Sequence, residues 1–432
     1  MLIKSKFGKI AVLTAAAALT LTGCSAASDS SSSDGSQTLT VLHKWPEGDH
    51  AEFFDKIVEE FEAANPGVNI EMTSVQDDPY KERIRVLTAA QDLPDVYFAW
   101  PGAYGEQFFN AGLAADLTDE LAGEWGDSLM PAALDAYSVD GANYAVPISM
   151  SGKYMVYNTD IFDANDVEVP ATYDELLTAC DTFTDAGIPA ISMGNNAMWP
   201  GVHYLTTLVA KNVPQDVISQ DSNPVTAKFT DPGYVQAFEQ LGELADRCFT
   251  EGANGISNDS AKAEIQTGVA AMYYGESNIF SIFREANGAT ADVAAAWNFF
   301  AFPEISDAGG DQASLTGAPD GFLVNSSSDN KALAIDFLKF FTSQDGGALL
   351  LEMRDRPSAV IGAEAGVENV LPQLEDALGQ LQNVENFNIW LDTATEPQVG
   401  AAFLAAGQAA IDGSQTPQEL LEAVRAASDD LK

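Results

Sequence analysis

The apolar positions of this chain keep two rhythms, and the switches between them mark its elements. Thr38 to His43 alternates and is rich in β-branched and aliphatic residues, which predicts a strand. Phe53, Phe54, Ile57, Val58 and Phe61 then recur at helical spacing until Asn65-Pro66-Gly67 stops the helix. A second strand is expected at Val68–Ser74, a helix over Tyr80–Gln91, and a buried strand over Leu93–Trp100 with Trp100 at its carboxyl end. Strand, helix, strand in this order predicts a parallel sheet with crossover helices. Ligands of such sheets sit outside the carboxyl ends of the strands.

The stretch from Ala145 to Phe162 stands apart for its apolar and β-branched content, with Pro147 near its start and Gly152 in the middle. It reads as an extended segment, a break, and a second strand ending at Asn158-Thr159-Asp160. A chain leaves one compact unit and enters another this way. Beyond it, Thr172 and Glu175 form a capping pair that opens a helix, Ala190–Gly194 is a short strand leading to Trp199, and helices are expected over Pro232–Cys248 and Ser257–Gly268. A strand over Val269–Gly275 follows, then a return to the first unit near Phe299–Pro303, a strand ending at Val324, and an amphipathic helix over Asn330–Ser343 with Ala334, Phe337, Leu338 and Phe341 on one face. From Asp345 the pattern is mostly helical, broken at Arg354–Ala359 and at Phe387–Asp392.

Length changes the picture first: 432 residues, 46% hydrophobic and 19% charged, suffice for two globular cores. The net charge of -44 excludes nucleic acid and anionic lipid as partners, since both need a basic footprint, and it disfavours an anionic ligand. Lys4, Lys6 and Lys9 precede an apolar run from Ile10 to Leu21 that is too short to span a bilayer, which marks an export signal over residues 1–23. It ends at Leu21-Thr22-Gly23-Cys24, which resembles the lipobox of bacterial lipoproteins, where a lipid is attached to the cysteine and the chain is cut just before it. Residues 24–37 are Ser-rich and too polar to pack, so they read as a flexible tether. In an exported protein Cys180 and Cys248, both in predicted helices, are either bridged or two buried thiols.

Several of these segments together resemble the solute-binding proteins that serve bacterial sugar importers of the ATP-binding-cassette class, maltose-binding-protein-like members of extracellular solute-binding family 1. The similar motifs are the Val146-Pro147 segment followed by Tyr157-Asn158-Thr159-Asp160-Ile161-Phe162, the helix closed by Asn65-Pro66-Gly67, Pro94-Asp95-Val96, the turn over Gly112–Thr118, Ala270-Ala271-Met272, and the Gly-rich turn and strand over Gly317–Val324. The chain departs from the family where a small-residue and Trp turn is common, carrying Glu276-Ser277-Asn278 there. The resemblance implies an α/β, two-lobed periplasmic-binding-protein-like fold of type II, with the ligand cleft between lobes joined by a hinge. Lobe 1 is expected over residues 38–147 plus about 300–344, and lobe 2 over 148–299 plus about 345–432.

A pyranose has apolar faces and a rim of hydroxyls, so aromatic platforms with acids and amides around them suit it. Trp45, Trp100, Trp199 and Trp390 all fall in predicted loops or strand ends near Asp, Asn or Glu. Trp199 is the expected stacking platform and Asp392 the hydroxyl acceptor, with Trp45, Trp100, Asn196, Tyr274, Glu276, Asp320, Gly321, Arg356 and Trp390 as further contacts. A secreted glycoside hydrolase is the competing class, but 64 carboxylates make close acid pairs meaningless as evidence, and no hydrolase, zinc, phosphate-loop or calcium-loop motif accompanies them. With only His43, His50 and His203, histidine-dependent chemistry is disfavoured, and His43 fits a structural role better than a place in the cleft. Few basic residues besides Lys44, Lys153 and Arg356 lie in the candidate loops, which favours a neutral oligosaccharide over an anion. A polyamine would suit the acidic charge; an adhesin would show repeats, and none occur. The expectation is a monomeric, cofactor-free and metal-free binding subunit, held by lipid on Cys24 to the outer face of a Gram-positive cell membrane and delivering its ligand to importer permease subunits.

Overall fold

The structure is a computed structural model and describes residues 37–46 and 49–432. The expected export signal, Cys24 and the tether up to Ser36 lie outside the described residues. Ten strands are present among the described residues: β1 Gln37–His43, β2 Val68–Ser74, β3 Val96–Ala99, β4 Ser138–Val139, β5 Ala142–Asn143, β6 Val146–Asn158, β7 Met272–Glu276, β8 Trp297–Phe300, β9 Leu315–Val324 and β10 Phe387–Asn388. Eight of them join one sheet in the order β2-β1-β3-β9-β6-β7, with β10 beside β9 and β8 beside β6. As the strand-helix-strand order requires, β1 runs parallel to both β2 and β3. Both β3 and β6 are antiparallel to β9.

Two long strands carry the chain between lobes. From Val146 to Gly152, β6 pairs with β9; from Lys153 to Asn158 it pairs with β7 and β8. The break expected inside this segment is absent: β6 is continuous, and its irregularity falls earlier, between Pro147 and Ser149. Proline lacks the N–H that the ladder needs, so the register slips there. Gly152 has a different role. It faces Gly317 across the pair, and a Cβ on Gly317 would lie 2.0 Å from the Ser151 carbonyl oxygen. Glycine at this point lets the two crossover backbones approach closely.

The return is made by β9 and not near Phe299–Pro303 as expected. There β8 still pairs with the far half of β6, and Phe302 and Ile305 lie in the second core. The later return also differs: helix Gln344–Arg354 packs on helix Asp49–Ala64 and gives Leu350 and Leu351 to the first core, while Val360 bridges to Leu129. Residues 345–363 therefore pack with the first lobe, because their apolar face has the Phe-rich face of that helix to cover.

Strand alternation divides the second lobe's sheet between the two cores. Tyr154, Val156 and Tyr273 face a continuation of the first core with Leu374 and Leu378. Met155, Met272 and Tyr274 face the second, with helices Tyr173–Asp185, Trp199–Asn212, Pro232–Arg247 and Pro397–Asp412. Thr172 and Glu175 close a capping box on the first of these helices. A disulfide joins Cys180 of that helix to Cys248 at the end of helix Pro232–Arg247.

Candidate functional site

The carboxyl ends of the parallel strands open onto a cavity of about 240 Å³ at the lobe boundary. On the first-lobe side, β1 runs out into Lys44 and Trp45, β3 into Trp100, and helix Asp77–Ala90 adds Lys81. Asp320 of β9 and Arg356, in the extended stretch after helix Gln344–Arg354, complete that wall. The Lys44 ammonium lies 3.3 Å from one Asp320 oxygen, and Arg356 donates to the other. Arg356 Nε also donates to Ser149 Oγ at 3.1 Å, tying both crossover strands together. Burial alone would raise the Asp320 pKa, but the charges of Lys44 and Arg356 and their hydrogen bonds outweigh it and hold the carboxyl below its ordinary range.

On the second-lobe side stand Lys153 of β6, Glu276 of β7 as its register partner, Tyr273, Trp199 and His203 of helix Trp199–Asn212, and Trp390, Asp392 and Thr393. His203 is layered between two indoles, its ring 3.7 Å from Trp390 at 13° and 4.8 Å from Trp199 at 49°. Its Nδ1 lies 3.1 Å from the Lys153 ammonium. Burial, then the positive charge of Lys153, Lys81 and Lys44, push the His203 pKa well below its ordinary value. The imidazole is therefore neutral and accepts from Lys153. Burial lowers the Lys153 pKa to about 8, with Glu276 opposing, so the amine remains mostly protonated at neutral pH. Asp392 differs from Asp320: burial raises its pKa, Lys81 opposes, and its Oδ1 has no hydrogen-bond partner among the described residues.

Eight of the residues expected at the site line the cavity: Trp45, Trp100, Trp199, Glu276, Asp320, Arg356, Trp390 and Asp392. Three do not. Asn196 is exposed, with its N–H given to the Ile256 carbonyl. Gly321 is covered by Tyr137, whose ring would lie 2.7 Å from a Cβ there. Tyr274 turns into the second core, where its hydroxyl bonds Thr207, while Tyr273 on the opposite face of β7 reaches the cavity. His43 is buried against Phe54 and its Nδ1 accepts from the Trp45 N–H.

The four tryptophans are not equivalent. Trp390 is 4% exposed with His203 on one face, and Trp45 is 9% exposed between Phe54 and the Arg356 guanidinium. Trp100 carries the ammonium groups of Lys44 and Lys81 about its ring at 4.9 and 5.0 Å. Half-buried Trp199 is the indole best placed to stack on a ligand. Lys81, His203, Asn258, Tyr273, Asn278, Ile279, Ala318 and Thr393 also line the cavity and were not among the sequence candidates. Neither was Lys153 or Lys44, although a lysine inside the apolar run of β6 is the kind of signal that marks a functional position.

Two α/β lobes linked by crossover strands, with a polar and aromatic cavity where they meet, define a binding protein of the periplasmic type. The chain belongs to the bacterial extracellular solute-binding proteins, whose family model matches residues 47–348. It is 29% identical over 171 residues to the melibiose/raffinose/stachyose-binding protein MelE of Bacillus subtilis, covering 39% of this chain and 38% of that one. It is 23% identical over 274 residues to the xylose/arabinose-binding protein XacG of Haloferax volcanii, covering 61% and 58%. The matched stretch spans about half the length of such curated relatives. Among solved structures, a protein of xylan utilisation from Caldanaerobius polysaccharolyticus superposes with a TM-score of 0.83 at 22% identity, covering 90% of this chain and 99% of that one. A chitin oligosaccharide binding protein gives 0.81 at 22%, covering 91% and 98%. At that identity the likeness is one of fold. Members of the family bind solutes without catalysis, and this chain is grouped with them.

Proposed function

We propose that the chain is the substrate-binding subunit of an ATP-binding-cassette importer, capturing a saccharide in the cleft and delivering it to membrane permease subunits. The observation that carries this reading is the composition of the cavity wall: the indole of Trp199 and the half-buried carboxylate of Asp392, whose buried Oδ1 lacks a donor among the described residues. An apolar ring face beside an unsatisfied acceptor suits a sugar's CH face and hydroxyl. Relatives named for melibiose, raffinose and stachyose, and for xylose and arabinose, support the same class. The cavity lies just below the range of about 300–1,000 Å³ usual for small-molecule sites, which favours a short oligosaccharide of one or two enclosed rings. Contact with both walls at once would favour the closed lobes through motion at β6 and β9, giving the permease a ligand-dependent shape to recognise. Lipid on Cys24 would hold the subunit to the outer membrane face of a Gram-positive cell, and ATP hydrolysis would belong to other subunits.

The test is thermal unfolding of the purified protein against mono- and oligosaccharides, polyamines and peptides. A ligand at a hundred times its dissociation constant adds about 2.7 kcal/mol, a readily measured shift. A shift with a saccharide that is recovered intact supports the proposal. A saccharide consumed during the run would replace it with a glycoside hydrolase; a shift with polyamines alone would replace the ligand class.

A further inference from the structure

The chain-wide charge and the charge of the cleft have opposite signs. Lys44, Lys81, Lys153 and Arg356 meet Asp320, Glu276 and Asp392 in the cavity wall of a protein with 64 acids and 20 bases. The acids are not distributed evenly among the bases. Asp320 takes both Lys44 and Arg356. Lys153, by contrast, is buried beside a neutral imidazole and near the rings of Trp199, Tyr274 and Trp390 at 5.4, 5.4 and 5.7 Å, with no carboxylate in ion-pair range among the described residues. Its register partner Glu276 accepts instead from Asn278 Nδ2 at 2.6 Å and stops 3.9 Å from His203 Nδ1. Lys81 likewise lies over a tryptophan ring, feels Asp392 at longer range, and has no carboxylate in ion-pair range among the described residues.

A buried ammonium with a neutral acceptor and no carboxylate in ion-pair contact is costly, and a carboxylate brought by a ligand would supply the contact that Glu276 does not make. We propose that the saccharide of this cleft carries a carboxylate, as a uronic acid residue does, and that the carboxylate seats on Lys153 while the ring stacks on Trp199. This rests on the saccharide reading above and narrows it. It also reverses the expectation of a neutral ligand, which followed from charge summed over the chain. That sum is dominated by exposed acids whose field is screened within roughly 8 Å at physiological salt, whereas Lys153 acts at contact.

Calorimetric titration with matched pairs differing only at C6 tests it: glucose and glucuronate, galactose and galacturonate, mannose and mannuronate, each with its disaccharide. The expected result is a uronate bound at least ten-fold tighter than its neutral parent, with affinity falling as salt rises from 20 to 500 mM. Lys153→Gln should reduce that ratio to three-fold or less, and exposed Lys81→Gln, which leaves the fold's cores untouched, should lower it partially. A neutral sugar bound as tightly as its uronate, or a uronate affinity insensitive to salt, overturns the carboxylate subsite and leaves the saccharide reading standing. No binding by either member of any pair overturns both.

Discussion

Asp320 shows how much one side chain can hold. It lies on a crossover strand, binds a lysine from the first-lobe sheet and an arginine from the returning chain, and is itself buried. Its carboxyl pKa is depressed, so its stabilising contribution is present above the unfolded value near 3.8 and is lost as pH falls through the lower folded value. Asp320→Asn takes the carboxylate from the buried Arg356 guanidinium and removes one of the contacts of Lys44. The expected cost is about 3–5 kcal/mol, measured as a lower denaturant midpoint at pH 7, and the difference from wild type should shrink toward pH 2. Residue identity of this kind was partly legible in the sequence. Tryptophans and acids near strand ends were found because aromatic platforms follow from position. Which indole keeps a face toward the cavity was not, since His203 and Arg356 cover Trp390 and Trp45 through contacts between segments far apart in the chain. Lys153 counts in the sequence only as one of the few bases of the candidate loops, because charge summed over the whole protein argues against an anionic ligand.

Elements were more readable than their junctions. Helical spacing up to Asn65-Pro66-Gly67, the Thr172–Glu175 capping box and the parallel β1–β3 order are local patterns, and all are present. The junctions depend on pairing partners: Gly152 reads as a break in a single sequence, yet it lies in register with Gly317, whose missing Cβ permits the close approach of the two strands. The second return was misplaced for the same reason, as nothing local to helix Gln344–Arg354 says which lobe Leu350 and Leu351 cover. The tight crossover makes Gly317→Ala informative. Its Cβ would sit 2.0 Å from the Ser151 carbonyl oxygen, so β6 and β9 must separate. A loss of about 1–3 kcal/mol is expected from chemical denaturation. Ligand affinity should fall too, because those strands carry both Lys153 and Asp320.

At the scale of the molecule, the two lobes are fastened differently. The single disulfide among the described residues joins positions 68 apart within the second lobe, and no such link crosses β6 or β9. By chain-entropy reasoning a loop of that length stabilises by about 4 kcal/mol. The staple thus strengthens one lobe and places no covalent restraint across the strands that join the two. A protein pulled by its two ends in an optical trap would feel this asymmetry: the oxidised chain should extend roughly 230 Å less than the reduced chain, at about 3.4 Å per residue withheld. Seen mechanically, the molecule is one lobe that can be drawn out completely and one that keeps a locked coil of its own length, so a tethered copy under shear would surrender its first lobe's full contour while part of the second stayed folded back on itself.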